Sequence, residues 1–216
     1  MEDMAPPPSA APLGDDIESR LHQSMARLIV KGQGLKRRFR LMKVHSRIGR
    51  AETADVLLPH ESVSETHAEI LFDGTTWTLR DCGSTNGTVA DGQHLRNSAL
   101  AIRRNALLGL GSLQIVFLCV DPRTAARDRR DEGRALSLLT RAGRISGDEA
   151  RQIRSLTGSD PNVSVAEVLL METALGPLDW ANAIASARAR RSIFERLRGF
   201  MSVFSRRGAN PPPTPR

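Results

Sequence analysis

The sequence predicts an antiparallel β-sandwich followed by a small α-helical module. Short runs rich in Val, Ile, Leu, Phe, Trp and Thr recur between about residues 26 and 120, and turn-forming residues separate them about every eight to twelve positions. After Asp121-Pro122, apolar residues instead recur at spacings of three and four, which indicates helices. A chain of 216 residues has room for one or two such domains.

Composition and charge exclude several classes of protein for this chain. Hydrophobic residues make up 40% of the chain and charged residues 25%, which excludes collagen-like and low-complexity chains. The net charge is +7, but residues 1–120 carry 14 basic and 13 acidic side chains and residues 121–187 carry 9 and 10. Residues 188–216 carry 8 basic side chains and 1 acidic one. Near-neutral domains with a basic tail are therefore predicted, and nucleic acid is the least favoured partner.

The first residues predict a disordered leader over 1–21, because the chain opens with Pro, Ala and other small residues that can bury little. Behind Asp15-Asp16, four apolar residues at spacings of three and four indicate a short helix: Ile17, Leu21, Met25 and Leu28. The opening lacks the charged and apolar pattern of a signal peptide, and two cysteines are too few for a disulfide framework. We expect a cytoplasmic protein, with a peripheral position at the inner face of the membrane as an option.

The segment 22–120 is predicted to form the sandwich. Its strands are separated by turn sequences that favour positive backbone φ angles: Gly32-Gln33-Gly34, Asp73-Gly74 and Asp91-Gly92. The last stretch, 106–118, alternates apolar positions around Gly109-Leu110-Gly111. This number and spacing of antiparallel strands predicts a β-sandwich rather than an α/β fold.

The second half is predicted to be helical. A run rich in Arg, Asp and Glu over 121–134 indicates a charged linker, and a helical module is predicted over 135–190, with Ser146-Gly147-Asp148-Glu149 starting one of its helices. Residues 191–207 predict an amphipathic helix whose apolar face is bordered by arginines, and residues 208–216 a disordered Pro-rich tail.

Three clusters in the sandwich segment stand in a characteristic order. Gly49-Arg50 is followed by Ser64-Glu65-Thr66-His67 and then by Asp81-Cys82-Gly83-Ser84-Thr85-Asn86-Gly87-Thr88. This arrangement resembles the forkhead-associated (FHA) domain over about 95 residues, and the Ser-Thr-Asn-Gly-Thr run is its most specific part. The resemblance implies an eleven-stranded sandwich whose loops at one end bind a phosphothreonine peptide, and Arg- and Ala-rich composition is typical of a bacterial protein.

The resemblance implies roles for four residues. Arg50 and Ser64 would contact the phosphate, Thr85 would lie beside it, and Asn86 would hydrogen-bond to the peptide backbone. These types suit the task, because a planar guanidinium and neutral hydroxyl and amide donors match a doubly charged phosphate. Simpler interpretations remain open from the residues alone: a solvated charge for Arg50, a turn or cap hydroxyl for Ser64, and an ordinary turn residue for Asn86.

Three further residues match structural positions of the family. Gly49 and Gly87 would allow backbone conformations that a Cβ obstructs, and His67 would tie the binding loops together. A metal role for His67 lacks a second ligand at suitable spacing, so no metal site is predicted. No cofactor site is predicted, and no catalytic residues are assigned, because the chain contains no nucleotide-binding, metalloprotease or serine-hydrolase motif.

Glu65 departs from the family pattern, which often places a basic or amide residue after the loop serine. An inward carboxylate would repel the phosphate. Three interpretations remain open: Glu65 points outward, a neighbour such as Arg47 compensates for it, or the pocket is weak and prefers a basic residue near the phosphothreonine.

The leading functional hypothesis is a non-enzymatic signalling adaptor that binds a phosphothreonine-containing protein, the substrate of a Ser/Thr kinase. The alternative is a phospho-independent structural adaptor of a membrane-associated or secretion-type assembly. The helical half loosely resembles the helical N-terminal modules of secretion and pilus ATPases, which would imply protein docking. The basic helix at 191–207 fits an anionic membrane surface or a partner protein.

Overall fold

The computed structural model describes residues 13–160 and 163–189. Eleven strands and several helices follow one another along this part of the chain. In order they are α1 (Leu13–Ser24), β1 (Arg27–Gly32), β2 (Leu35–Arg40), β3 (His45–Gly49), β4 (Val56–Leu57), β5 (Ala68–Phe72), β6 (Trp77–Asp81), β7 (Thr88–Ala90), β8 (Gln93–Leu95), β9 (Ala99–Ile102), β10 (Ala106–Leu110), β11 (Leu113–Leu118), α2 (Ala125–Arg141), α3 (Gly147–Ser159), α4 (Val165–Glu172) and α5 (177–189).

The strands form two sheets that pack as a sandwich. The six-stranded sheet has the order β2-β1-β11-β10-β7-β8, and the five-stranded sheet has the order β4-β3-β5-β6-β9. All pairs are antiparallel except the short parallel pair of β3 with β4. Trp77 lies between Phe72 and Phe117 in the core between the sheets, which otherwise consists mostly of aliphatic side chains. The predicted fold class, an antiparallel β-sandwich followed by helices, is confirmed.

Two of the predicted turns are two-residue hairpin loops. Gln33 and Gly34 (φ 51° and 74°) join β1 to β2, and Asp91 and Gly92 (φ 47° and 84°) join β7 to β8. Positive φ at both central residues is what a type I′ turn needs to match the twist of the strands. The Asp73-Gly74 turn is longer, because Phe72 pairs with Trp77 and leaves a four-residue connection in which Asp73 accepts the N–H groups of the next turn residues.

The leader differs from its prediction. The sequence predicts disorder for residues 13–21, whereas they form most of α1, because Leu21 is buried in the sandwich core and Ile17 packs against it. The helix also ends earlier than the apolar spacing indicates. Met25 adopts a left-handed conformation (φ 45°), which stops the helix, and Leu28 belongs to β1.

The linker prediction is also wrong for most of its length, because residues 125–134 are the first half of α2. The abundance of charge indicates a solvated segment, but the acidic side chains Asp128, Asp131 and Glu132 share a buried face of the helix. Their spacing of three and four residues puts them on one side, where Glu132 meets cationic and amide groups of the sandwich.

The helices cover the outer face of the six-stranded sheet. Strands β1 and β11 are therefore buried on both sides, with Leu28 and Phe117 facing the sandwich core and Ile29, Val116 and Leu118 facing the helices. Leu136, Leu169 and Trp180 are among the helical side chains in this second core. The helical half therefore does not close a core of its own, because it shares one with the sheet.

Local signals set the helix starts. Ser146 and Glu149 form the capping box that the sequence predicts for α3, with Ser146 Oγ accepting from the Glu149 N–H and the Glu149 carboxylate accepting from the Ser146 N–H. Ser164 caps α4. None of the described helices is long and apolar enough to span a membrane. The predicted amphipathic helix at 191–207 and the tail at 208–216 lie outside the described residues.

A buried polar network joins the two halves. The Glu132 carboxylate is almost fully buried and accepts hydrogen bonds from Arg104 Nε (2.8 Å) and Asn105 Nδ2 (3.1 Å) of the sandwich, and from Ser164 Oγ of the α4 cap (3.3 Å). Trp180 Nε1 donates to Asn105 Oδ1 (3.0 Å). Because Glu132, Asn105 and Ser164 are buried and Arg104 is mostly buried, separating the halves would break hydrogen bonds that are largely shielded from water.

We predict that the sandwich and the helices unfold as one unit. The two tryptophans report on the two cores separately, since Trp77 lies in the sandwich and Trp180 lies under the helices. Urea unfolding of the single-tryptophan variants Trp77→Phe and Trp180→Phe, each followed by fluorescence and by circular dichroism, should give coincident transitions within each variant. Two separated midpoints in either variant would show that the halves are independent. Glu132→Ala should lower the free energy of unfolding by about 3 to 5 kcal/mol in both reporters.

Candidate functional site

Four loops meet at one end of the sandwich. They connect β3 to β4, β4 to β5, β6 to β7 and β10 to β11. The Arg50 N–H donates to the Ser64 carbonyl (2.9 Å), the Thr85 N–H donates to Ser64 Oγ (3.1 Å), and Asn86 Nδ2 donates to the Ser62 carbonyl (2.9 Å). The structure therefore brings together Arg50, Ser64, Thr85 and Asn86, which come from three segments of the sequence.

Gly49 is required by a close approach of two backbones. A Cβ built on Gly49, the last residue of β3, would lie 1.9 Å from the carbonyl oxygen of Glu65. The contact lets the N–H groups of Arg50 and Ala51 bond to the carbonyls of Ser64 and Glu65. The glycine thereby fixes the position of Arg50 relative to the serine loop. Gly87, at φ 78°, occupies the left-handed conformation that favours glycine.

The side chain of His67 connects two of the loops, β4–β5 and β6–β7. Its imidazole is fully buried, with Nδ1 accepting from the Ser64 N–H (3.0 Å) and Nε2 facing the Gly87 carbonyl (3.2 Å). These partners select the neutral tautomer that carries its proton on Nε2. Burial lowers the pKa of His67, which keeps the ring neutral near pH 7.

The side chain of Arg50 is exposed and only partly engaged. Its Nε donates to the Val63 carbonyl (3.2 Å), which fixes the guanidinium plane beside the serine loop. The two terminal nitrogens make no hydrogen bond to a described residue, so the paired N–H groups of the fork face solvent. Such a fork can hold two oxygens of one anion.

Ser62 is a residue of the site that the sequence analysis missed. Its carbonyl accepts from Asn86, and its hydroxyl bonds to His60 Nδ1 (2.8 Å) and accepts the Ser112 N–H (2.9 Å). A Cβ on Gly111 (φ 59°) would lie 2.1 Å from the Ser62 carbonyl oxygen. The β10–β11 turn therefore supports the loop that positions Asn86, and no spacing in the sequence links residues 62 and 111.

Asp81 organises the loop that carries Thr85 and Asn86. It is 2% exposed, and its carboxylate accepts from the hydroxyls of Ser84 and Thr88 (both 2.6 Å) and from the N–H groups of Gly83 and Asn97 (both 3.0 Å). Burial by itself would raise the pKa of Asp81, but these hydrogen bonds outweigh it and lower the pKa to about 2. Asp81 is the first residue of the Asp81–Thr88 cluster, but nothing in the sequence indicates that its carboxylate is buried.

Glu65 and Arg47 do not form an ion pair with each other within the described part of the chain. The Glu65 side chain is exposed. Arg47 is also exposed, and its N–H donates to Asp55 Oδ2 (2.8 Å) on the loop to β4. The suggested compensation of Glu65 by Arg47 is thus not formed before a ligand binds.

The hydrogen-bond donors at this end of the sandwich have the chemistry to bind a small anion. The Arg50 fork and the Thr85 hydroxyl keep donor hydrogens that bond to no described residue, whereas the Ser64 hydroxyl donates only through a long contact to Thr85 Oγ1 (3.4 Å). The Asn86 amide keeps one N–H and its carbonyl oxygen available after its bond to Ser62. In the described residues no group of three or more His, Cys, Asp or Glu side chains is placed to hold a metal ion.

Comparisons with known proteins identify this region. The family model described as FHA domain matches residues 46–111. The matched segment spans the three loops that carry Arg50, Ser64 and Asn86, so the sandwich contains an FHA domain, and FHA domains are binding modules. No curated protein matches the chain.

Solved FHA structures align with the same half of the chain. An FHA domain from work on phosphothreonine-dependent interactions is 28% identical, with a TM-score of 0.41, over 44% of this chain and 97% of its own. The FhaA FHA domain in complex with the intracellular domain of Rv3910 is 29% identical, with a TM-score of 0.39, over 43% and 98%. Mycobacterium tuberculosis EmbR in complex with a low-affinity phosphopeptide is 25% identical, with a TM-score of 0.41, over 48% of this chain and 29% of EmbR.

We predict that Asp81→Asn destabilises the protein by about 2 to 4 kcal/mol at pH 7, because a neutral amide cannot accept all four hydrogen bonds. The pH dependence should identify the cause. The pKa of Asp81 is about 2 in the fold and 3.8 as an ordinary carboxyl, so its contribution of about 2 kcal/mol is complete above pH 4 and is lost as the pH falls through 2.

Urea unfolding of both proteins between pH 2 and pH 7 measures this effect. The difference in stability between the native protein and Asp81→Asn should shrink as the pH falls from 4 to 2. A difference that stays constant over that range would show that the carboxylate charge is not the source of the stabilisation.

Proposed function

We propose that the site binds a phosphothreonine-containing segment of a partner protein. The observation that carries the proposal is the convergence of Arg50, Ser64, Thr85 and Asn86 at one end of the sandwich, with their remaining donors directed to solvent. FHA domains are phosphothreonine-binding signalling modules. The proposal assigns that activity to this chain through these four residues.

The phosphate is held by hydrogen-bond donors that the surrounding loops do not use. The terminal N–H groups of Arg50 face two phosphate oxygens, and the Ser64 hydroxyl rotates from its 3.4 Å contact with Thr85 Oγ1 to donate to a phosphate oxygen. Thr85 contributes a second hydroxyl. The Ser64 N–H does not take part, because it is already committed to His67. Geometry rather than a large positive charge selects the phosphate, since Arg50 is the only basic member of this set.

Asn86 reads the peptide backbone beside the phosphate. The bond of its Nδ2 to the Ser62 carbonyl fixes the amide plane, so that Oδ1 and the second N–H are presented together. An amide in this state can accept a backbone N–H and donate to a backbone C=O of an extended peptide. We assign the protein as a non-enzymatic adaptor whose partner is phosphorylated by a Ser/Thr kinase.

We predict that Arg50→Ala weakens binding to a phosphothreonine peptide by roughly 100-fold, because the charge-assisted hydrogen bonds of the fork are worth about 1.5 to 3 kcal/mol each. The measurement is fluorescence anisotropy of the full chain against a degenerate phosphothreonine library and its unphosphorylated counterpart. The full chain is used because removal of the helices would expose the outer face of β1 and β11.

The matched control is Arg129→Ala, which removes an exposed arginine on α2. It should leave the affinity within twofold of the native protein. Arg50→Lys should lie between the native protein and Arg50→Ala, because it keeps the charge and loses the fork. Equal affinities of the native protein and Arg50→Ala, with both folded, would remove the phosphate assignment.

Glu65→Gln should tighten binding of a phosphothreonine peptide with neutral flanking residues about three- to tenfold, because it removes a like charge near the phosphate. The gain should be smaller for peptides with Lys or Arg next to the phosphothreonine, and it should decrease with added salt. Calorimetric titration of both peptides with both proteins measures the difference. An unchanged affinity for the neutral peptide would show that the Glu65 carboxylate stays away from the phosphate.

A further inference from the structure

The β1–β2 hairpin concentrates positive charge at one edge of the sandwich. Residues 27–40 contain no acidic side chain and six basic ones: Arg27, Lys31, Lys36, Arg37, Arg38 and Arg40. The rest of residues 1–120 is therefore acidic on balance, because that whole segment is nearly neutral. A local field of this kind favours an anionic partner.

Only part of this charge is neutralised within the described residues. The Glu167 carboxylate of α4, which is 5% exposed, bonds to Arg27 Nη1 (2.9 Å) and to Arg38. Lys36, Arg37 and Arg40 are exposed and form no ion pair with a described residue. On this face of β2, Arg38 is paired with the Glu167 carboxylate, and Lys36 and Arg40 on either side of it have no carboxylate partner among the described residues.

The strand that carries these residues also has an open hydrogen-bonding edge. β2 is the outermost strand of its sheet and pairs only with β1 among the described elements. Gly32 and Leu35 flank the two-residue turn and form a hydrogen-bonded pair, and hydrogen-bonded pairs alternate along an antiparallel ladder. The alternation directs the backbone N–H and C=O groups of Lys36, Arg38 and Arg40 away from β1.

We propose that β2 is a docking edge for an extended acidic segment of a partner protein, which adds antiparallel to β2 as a seventh strand of the six-stranded sheet. Its backbone pairs with the free groups of Lys36, Arg38 and Arg40. Acidic side chains at every second position then lie opposite these three cations and on the same face of the sheet. The partner is thus recognised by an alternating pattern, Glu/Asp-x-Glu/Asp-x-Glu/Asp.

The geometry favours an acidic peptide strand over other anionic ligands such as a lipid surface or nucleic acid. Lys36, Arg38 and Arg40 lie on the face towards α4, whereas Arg37 lies on the opposite face, so a planar lipid surface cannot reach them all. Proteins that bind single-stranded nucleic acid commonly stack its bases on aromatic side chains, and Phe39, the aromatic residue of β2, packs against the sandwich core instead. Neither ligand would pair with the backbone groups of the edge.

The test uses the full chain and a fluorescent peptide of sequence Glu-Thr-Glu-Thr-Glu-Thr-Glu, with binding followed by anisotropy. The double variant Lys36→Glu/Arg40→Glu should weaken binding about tenfold or more. The matched control Arg123→Glu/Arg129→Glu makes the same change in net charge at exposed positions outside β2 and should stay within twofold. Arg50→Ala should also stay within twofold, which separates this surface from the phosphate site. If the glutamate variant fails to fold, Lys36→Gln/Arg40→Gln replaces it.

Backbone methylation of the peptide tests the strand pairing itself. The glutamates opposite Lys36, Arg38 and Arg40 must point their N–H groups at β2, whereas the threonine N–H groups point away. N-methylation of the glutamates should abolish binding, and N-methylation of the threonines should leave it nearly unchanged. Equal effects of the two methylation patterns would contradict strand addition.

Three further results would overturn the proposal. One is equal binding of a peptide with the same composition in blocks, Glu-Glu-Glu-Glu-Thr-Thr-Thr, which would show bulk charge attraction only. Another is lack of binding to the alternating peptide, which would leave these cations as a guard against edge-to-edge aggregation. The third is binding of phosphatidylserine vesicles or oligo-dT that depends on Lys36 and Arg40 while the peptide does not bind.

Discussion

The two-sided burial of β1 and β11 is the constraint on which the rest of the structure depends. A sandwich normally exposes the outer faces of its sheets, but here Ile29, Val116 and Leu118 are as deeply buried as the inner residues. The helices must therefore stay on the sheet, and their contact fixes Glu132 and Glu167 against arginines of the sandwich. The same packing leaves β2 as the outer edge of the six-stranded sheet, where Arg38 forms an ion pair with Glu167 of α4.

The binding loops obey a different constraint, which is the close contact of backbones. Gly49 against Glu65 and Gly111 against Ser62 leave no room for a Cβ, so the loops are held by their main chains rather than by their functional side chains. Beneath them, His67 and Asp81 are buried polar groups whose hydrogen bonds are satisfied by the loops. The exposed donors of Arg50 and Asn86 are therefore positioned before any ligand arrives, which reduces the entropic cost of binding.

The sequence predicts the sandwich well, because strands and turns depend on local patterns, and the residues proposed for the site also stand in local clusters. Alternation and Asp-Gly turns locate strands, and the three clusters locate Arg50, Ser64 and Asn86. It fails where distant segments meet. The charged residues of 125–134 predict a linker, because the sequence does not indicate that Glu132 bonds to Arg104 and Asn105, which are distant in the chain. The contact between Ser62 and Gly111 could not be predicted for the same reason, since the two residues are far apart in the sequence. The basic hairpin was also hidden, because a net charge taken over 1–120 combines it with the acidic remainder of that segment.

The distribution of charge implies different modes of recognition at the Arg50 site and at the β2 edge. The proposed phosphate site has one arginine and an adjacent acidic residue, so long-range attraction would contribute little there and recognition would depend on the fixed geometry of hydroxyl, amide and guanidinium donors. The β2 edge has many cations and few fixed side-chain partners, so its attraction acts at longer range and is more sensitive to salt. A partner that used both surfaces would be drawn to the protein by the hairpin, whereas its phosphorylation state would be read by Arg50 and Ser64.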